Sequence, residues 1–313
     1  MPRTFGYRPI EFDIYIPPDG EQYYFNNGID KFVLASGGYG MPDIDYQTQR
    51  APFQDGATAL GFTLSSRVIR LLHRVSKDCR DDYWSARSTL INAIRPNRRT
   101  QVGVFELGIL RKVLSDGTKR DLCVSVMSTP EFSIPSNNEW DEFGFTEVIQ
   151  FMAFDPIFFN PDKKILELQL PDSGGELQFA VEFPIEFSEA AFVVANNLPY
   201  GGTYKSYPTI YLTGPMRRPI ISNVTTQEFI ELDTEIVANR TVIISLTPGA
   251  KTVVDDAGNN LIGTVTPESD LATFHLEPSP LAVGGVNEIG FTANLTDSNS
   301  VAAIHWFDRF VGI

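Results

Sequence analysis

The sequence predicts a mainly β protein built as two domains, and three observations predict it. The 21 prolines and 24 glycines are spread along all 313 residues, so turn signals recur roughly every ten residues, the rhythm of short strands rather than long helices. The runs between those signals alternate apolar and polar side chains, the period of a half-buried strand. The charge is also divided. Residues 1–160 carry 17 basic and 20 acidic side chains, residues 161–313 carry 8 and 19, so −11 of the formal −14 lies in the second half. The polar, turn-rich segment Asn160-Pro161-Asp162-Lys163-Lys164 is the natural junction, which gives domains of 1–162 and 163–313.

In the first half, Ile10 to Ile16 alternates and stops at Pro17-Pro18-Asp19-Gly20, a turn cluster. Residues 29–36 form a second strand running into Gly37-Gly38-Tyr39-Gly40, where glycine permits positive φ. Gly61 to Val75 reads as one long extended stretch, with Ile69, Leu71 and Val75 on one face and Arg70 and Arg74 on the other. A helix follows over Asp81–Ile94. Asp81 and Asp82 cap it or load its first turn, Tyr83, Trp84, Leu90, Ile91 and Ile94 form an apolar stripe with Ala86, and Pro96 ends it. Residues 101–114 and 119–127 form a long hairpin about Asp116-Gly117, a type I′ signal. Glu147 to Phe154 is the last extended stretch before the junction.

The second half reads as strand after strand: Ile165–Leu170, Leu177–Phe183, Thr209–Leu212, Phe229–Leu232, Thr241–Leu246, Lys251–Val254, Thr273–Leu276, Glu288–Ala293 and Val301–Phe310. Asn196-Asn197, Gly201-Gly202, Pro248-Gly249 and Ala257-Gly258-Asn259-Asn260 are among the separating turns. That pattern is an antiparallel β-sandwich.

Composition excludes several classes of function. A net charge of −14 does not supply the broad basic surface that nucleic-acid binding needs. Residues 1–5 carry no apolar signal core and no run of about 18 apolar residues occurs, so neither a secretion signal nor a membrane span is expected. Cys79 and Cys123 form no C-x-x-C pair and are expected to be buried or inert thiols. His73, His275 and His305 stand alone, without metal-ligand spacing. Asp43-x-Asp45 reads as a solvated turn and Asp255-Asp256-Ala257-Gly258-Asn259 as a tight hairpin, since neither has the spacing of a calcium loop. No helix begins behind Gly37-Gly38-Tyr39-Gly40, so it lacks the logic of a phosphate cradle. No catalytic centre, cofactor or metal is expected.

One segment departs from the acidic average. Residues 67–99 hold nine basic side chains against three acids. Arg67, Arg70, Arg74, Arg87 and Arg98, together with the hairpin tip Asp116-Gly117, are the candidate subunit contacts. An arginine-rich patch on an acidic body suits head-to-tail association into a closed ring.

Several motifs, in order along nearly the whole chain, resemble the siphovirus distal tail proteins of bacteriophages. They are Arg50-Ala51-Pro52-Phe53-Gln54-Asp55-Gly56; Arg67-x-Ile69 followed by Tyr83, Arg87, Leu90 and Arg95-Pro96-Asn97; and Phe151-x-Ala153-x-Asp155-Pro156. In the second half they are Pro208-x-Ile210-x-Leu212-x-Gly214, Pro219-Ile220-Ile221-x-Asn223-x-Thr225-Thr226, and the terminal run Ile304 to Ile313. Gln227 departs from the pattern, standing where glycine is frequent in the family.

The resemblance implies a fold and a role. The fold pairs an N-terminal belt domain, a β-barrel or sandwich with one helix and a long hairpin, with a C-terminal galectin-like sandwich. The role is structural and non-enzymatic: a homohexameric ring at the tail tip, assembled in the host cytoplasm. The implied partners are other copies of the chain, the tail tube protein, the tape measure protein and an adhesion hub or fibre. The galectin sugar-binding sets are missing, since His275-x-Glu277 and Trp306-x-Asp308-Arg309 do not match them. The alternative reading is a carbohydrate-binding sandwich contributing to host attachment, with Tyr200, Tyr204 and Tyr207 beside Gly201-Gly202 as its aromatic face.

Overall fold

The computed structural model describes residues 11–96, 100, 106–128, 130–132, 143–170 and 192–313. The chain divides into two compact units, Met1–Pro161 together with Phe310–Ile313, and Asp162–Arg309.

The first unit runs β1 (Phe12–Ile16), β2 (Tyr23–Tyr24), β3 (Lys31–Gly37), β4 (Ile44–Gln49), β5 (Thr58–Leu64), β6 (Arg67–Lys77), α1 (Arg80–Ile94), β7 (Gly108–Val113), β8 (Lys119–Val126), β9 (Phe143–Ala153) and β10 (Phe158–Phe159). Its main sheet has the order β2-β1-β7-β8-β9-β6-β3. The sheet folds on itself where β8 and β9 pair only at Ser125–Met152 and Val126–Phe151. The ring of Tyr15 on β1 lies 5.0 Å from that of Phe151 on β9. Three strand spacings in a flat sheet would hold them about 14 Å apart. The enclosed core includes Phe25, Ile69, Leu71, Leu110, Leu122, Ile149, Phe151 and Phe158. Strand β6 shows the logic plainly: Arg67, Ile69, Leu71, His73 and Val75 are buried, and the residues between them face outward.

Helix α1 closes the inner face with Tyr83, Ala86, Leu90, Ala93 and Ile94. Trp84 and Ile91, expected in that stripe, are instead 38% and 43% exposed. Each follows a buried residue, and one step of about 100° turns it onto the flank. Asp81 and Asp82 load the first turn, while Cys79 is the N-cap without a side-chain bond. Cys79 is exposed and Cys123 half-buried, so neither thiol is fully buried.

Two expectations for this unit change. The stretch Gly61–Val75 is broken at Ser65-Ser66, because β5 pairs with β4 in a two-stranded sheet of its own while β6 enters the main sheet. Ser65 fixes the break, donating its N–H to the Asp43 carbonyl (2.9 Å) and its hydroxyl to Asp45 Oδ2 (2.5 Å). The β7–β8 turn is not type I′. Within it only Gly117 has positive φ (84°), and the Gly117 N–H donates to Leu114 O at 2.9 Å. That is a three-residue loop with glycine in the left-handed bulge position.

The second unit comprises β11 (Lys164–Gln169), β12 (Phe192–Pro199), β13 (Thr209–Thr213), β14 (Met216–Asn223), β15 (Glu228–Glu231), β16 (Glu235–Ile236), β17 (Thr241–Ser245), β18 (Thr252–Asp255), β19 (Val286–Asn294) and β20 (Val301–Trp306); the chain leaves it at β21 (Arg309–Phe310). One sheet has the order β11-β20-β13-β17-β18, the other β12-β19-β14-β15 with β16 on β14. Alternate residues of both sheets, among them Leu168, Ile210, Leu212, Ile221, Ile230, Val242, Ile244, Phe291 and Ile304, form one apolar core. This is the expected antiparallel sandwich.

Its details differ from the sequence reading in several places. Thr273–Leu276 is a turn with a single bridge, Leu276 to Ser206. Asn196-Asn197 lies within β12, paired to Ile289 and Glu288. β14 is not among the expected strands, because Pro219 interrupts it at a register shift between Arg217 and Ile220, where proline is tolerated. The expected strand Leu177–Phe183 falls outside the described residues. Gln227, the departure from the family pattern, sits at φ 60°, a left-handed conformation that favours glycine. Asp255 forms the expected tight turn, its carboxylate accepting from the N–H groups of Ala257 (3.0 Å) and Asn259 (2.8 Å).

Candidate assembly surface

The sequence-predicted contact residues do not form one patch. Arg67 is 4% exposed. It shares strand parity with Ile69 and Leu71, so it points inward. Its guanidinium donates to the carbonyls of Gly38 (3.1 Å), Gly40 (2.9 Å) and Val311 (2.5 Å), and lies 4.6 Å over the Phe158 ring. Burial lowers its pKa to about 10, against the opposing pull of Asp155. Arg67 is therefore an internal fastening and not a contact residue. It ties together the loop Gly37-Gly38-Tyr39-Gly40, Phe158 and Val311. Space there is tight: a Cβ on Gly38 would lie 2.2 Å from the Val68 carbonyl oxygen, and one on Gly312 would lie 3.1 Å from that of Gly40.

The other candidates scatter. Arg70 is exposed and Arg74 half-exposed, both on the outer face of β6. Arg87 is half-buried between the rings of Trp84 and Phe132, 5.2 and 4.6 Å away. Asp116 accepts the Thr118 N–H (2.8 Å), so with Gly117 it shapes its own turn. Arg98 lies outside the described residues.

The feature that sequence reasoning missed is the hairpin β4–β5. Its register pairs Ile44 with Leu64 and Tyr46 with Phe62, so these four share a face, and Leu60 follows at a register shift between Gln47 and Thr48. The face is bare: Tyr46 is 65% exposed, Leu60 64% and Phe62 58%. At the tip, inside the motif Arg50–Gly56, Phe53 is fully exposed and held at φ 65°, which is costly for a bulky residue. The alternation of Tyr46 and of Leu60-x-Phe62-x-Leu64 about the polar tip was the available signal. The outer face of the main sheet is open as well. There Arg70 pairs with Gln150, Leu72 with Val148 and Arg74 with Thr146, and Val148 and neighbouring Leu34 are 47% and 53% exposed.

The titratable groups are arranged structurally. His73 is buried, its Nε2 3.1 Å from the Tyr23 hydroxyl and its Nδ1 3.2 Å from Phe32 O, and burial lowers its pKa to about 4. Buried Asp121 takes a two-pronged contact from Arg111 (2.8 and 2.7 Å), and buried Asp13 binds Lys112 and the Tyr39 hydroxyl. Among the described residues, no group of three or more His, Cys, Asp or Glu is placed to hold a metal ion. Of the three tyrosines suggested as an aromatic face, Tyr200 is buried, its hydroxyl donating to the Tyr204 carbonyl and accepting the Arg309 N–H.

With both units laid out, comparison with solved structures decides the fold. The crystal structure of the SPP1 Dit protein, a paradigm of the hub adsorption apparatus in Gram-positive infecting phages, superposes with a TM-score of 0.60 at 13% identity, over 96% of this chain and 99% of that one. The chain has the Dit fold. Two structures of the phage P2 baseplate in its activated conformation, with Ca and with Sr, align at TM-scores of 0.49 and 0.47. Their identities are 10% and 9%, covering 97% and 95% of this chain and 99% and 97% of theirs. No family model and no curated protein sequence matches the chain. The likeness in fold thus extends over nearly the whole chain at 13% identity, and the β-rich build agrees with it.

Proposed function

We propose that this chain is a structural, ring-forming component of a phage tail tip. Its first unit associates head-to-tail into a homohexamer, and the ring joins the tail tube and tape measure protein to an adhesion hub or fibre. The observation that carries the reading is the amphipathic hairpin β4–β5. A two-stranded hairpin alone is at best marginally stable in water, yet this one presents Tyr46, Leu60 and Phe62 uncovered. Covering such side chains contributes about 2 kcal/mol each, so the face fits an apolar surface outside its own unit. The open sheet face bearing Leu34, Leu72, Val148, Arg70 and Arg74 is a mixed apolar and basic surface of the kind it would meet. A protrusion on one side and a receiving face on another make a heterologous contact, which closes into a ring when the rotation allows. The full-length likeness to SPP1 Dit, a protein of a hub adsorption apparatus, supports the tail-tip setting.

Mass measurement by light scattering, with electron microscopy of the purified chain, tests the proposal. Annular particles are expected for the wild type. Tyr46→Ser/Phe62→Ser should give folded, smaller species, and Arg70→Glu/Arg74→Glu should weaken assembly from the receiving side. A wild type that stays monomeric at high concentration, or a double-serine variant that still assembles, would refute it.

A further inference from the structure

The sequence contains one Asn-Gly pair, Asn27-Gly28, in the loop between β2 and β3. Asparagine before glycine is the amide most open to attack by its own chain, because glycine has no side chain to shield its backbone nitrogen. That nitrogen can bond to the asparagine Cγ. The bond from Cγ to Nδ2 breaks, the Gly28 N–H proton leaves with Nδ2 as ammonia, and a five-membered succinimide remains. Water then opens the ring to aspartate or isoaspartate. The reaction needs only the chain and solvent.

In the folded loop the groups of that reaction are all engaged. Asn27 Oδ1 accepts the N–H groups of Ile29 (3.0 Å), Asp30 (3.2 Å) and Lys31 (3.0 Å), and Nδ2 donates to Asp30 Oδ1 (2.5 Å). The Gly28 N–H donates to Asn26 Oδ1 (3.1 Å). The Asn27 N–H closes the loop on the Lys31 carbonyl (3.2 Å). The loop demands both residues of the labile pair. Gly28 has φ 71°, which glycine adopts freely. Asn27 must accept backbone N–H groups with its oxygen and donate to a carboxylate with its nitrogen, and an aspartate does only the first. Asp30 in turn fastens the loop to the end of β6. Its carbonyl accepts the Ser76 N–H (2.9 Å), and its Oδ2 pairs with Lys77. Burial acts to raise the Asp30 pKa, yet the hydrogen bonds from Lys77 and Asn27 bring it below the ordinary value.

We infer that Asn27-Gly28 is a modification site held latent by the fold, which converts to aspartate or isoaspartate when the β2–β3 loop opens. Opening of an exposed loop is local and far less costly than unfolding the unit. Conversion then changes the loop for good. The group facing Asp30 turns from a donor into a carboxylate, so two negative oxygens meet where one hydrogen bond stood, and both compete for Lys77. Isoaspartate also lengthens the backbone of the loop by one carbon. Either product loosens the start of β3 from β6. The inference concerns the chemistry of one loop and does not rest on ring formation.

The test is incubation of the full chain at mildly alkaline pH, in buffer and in guanidinium chloride, followed by peptide mapping with mass spectrometry at Asn27. The folded chain should convert more than about tenfold slower than the unfolded one, the factor set by an opening cost of only ~1.4 kcal/mol. Asp30→Ala frees Nδ2 and should speed conversion in buffer while leaving the rate in denaturant unchanged. Lys77→Gln loses the same ion pair but keeps the amide anchored, so its rate should stay close to that of the wild type. Asn27→Asp carries the carboxylate of the product and should unfold at a lower denaturant concentration. Equal rates in buffer and denaturant, equal acceleration by Asp30→Ala and Lys77→Gln, or an Asn27→Asp chain as stable as the wild type would overturn the inference.

Discussion

Two hairpins of the first unit have similar patterning and opposite fates. β7–β8 lies beside β1 in the main sheet, sinks Leu110 and Leu122 into the core and seals Asp121 against Arg111. β4–β5 pairs only with itself and leaves Tyr46, Leu60 and Phe62 in water. The difference teaches that alternation reports a side to be covered, not what covers it. In β7–β8 the cover is the unit's own core; in β4–β5 it must come from elsewhere.

The contrast can be sharpened by substitution. Asp121→Ala should cost the most, about 3 kcal/mol or more, because it removes a buried carboxylate that holds Arg111 by two hydrogen bonds; urea unfolding would show it. Leu110→Ala should cost about 2–5 kcal/mol by the same measurement, from lost burial and a new cavity. Acid should also weaken the packed side. His73 has its folded pKa lowered to about 4, whereas in the unfolded chain it is near the ordinary 6.5. Below pH about 6.5 the unfolded chain takes up a proton that the folded one refuses, so this contribution is complete at higher pH and declines by roughly 3 kcal/mol as pH falls toward 4. His73→Gln should flatten that slope relative to wild type. In the second unit, Gln227→Gly should raise stability by about 0.5–1 kcal/mol by relieving a left-handed backbone. Smallest of all, Tyr46→Ser/Phe62→Ser should move monomer stability by less than about 0.5 kcal/mol, as exposed substitutions do, while changing oligomer mass. A large loss of stability in that variant would erase the distinction between the two hairpins.

Much of this was legible in the chain because it is local. The helix boundary at Pro96, the β7–β8 hairpin and the short strands of the second unit follow from neighbouring residues. Arg67 lies inside for a reason its position carries: it has the parity of Ile69 and Leu71, whereas Arg70 and Arg74 have the opposite parity. The same count would have placed His73 inside. The hairpin β4–β5 was harder to see, because Leu60, Phe62 and Leu64 alternate like a core strand and run almost without punctuation into β6.

The clamp around Arg67 bears on the order in which the molecule can be completed. Residues 310–313 belong to the first unit, although the whole second unit separates them from residue 161. During synthesis the loop 37–40 therefore stays unfastened until residues 310–313 have been made. Changes in residues 310–313 should disturb the amino-terminal half before they touch the sandwich made just ahead of them.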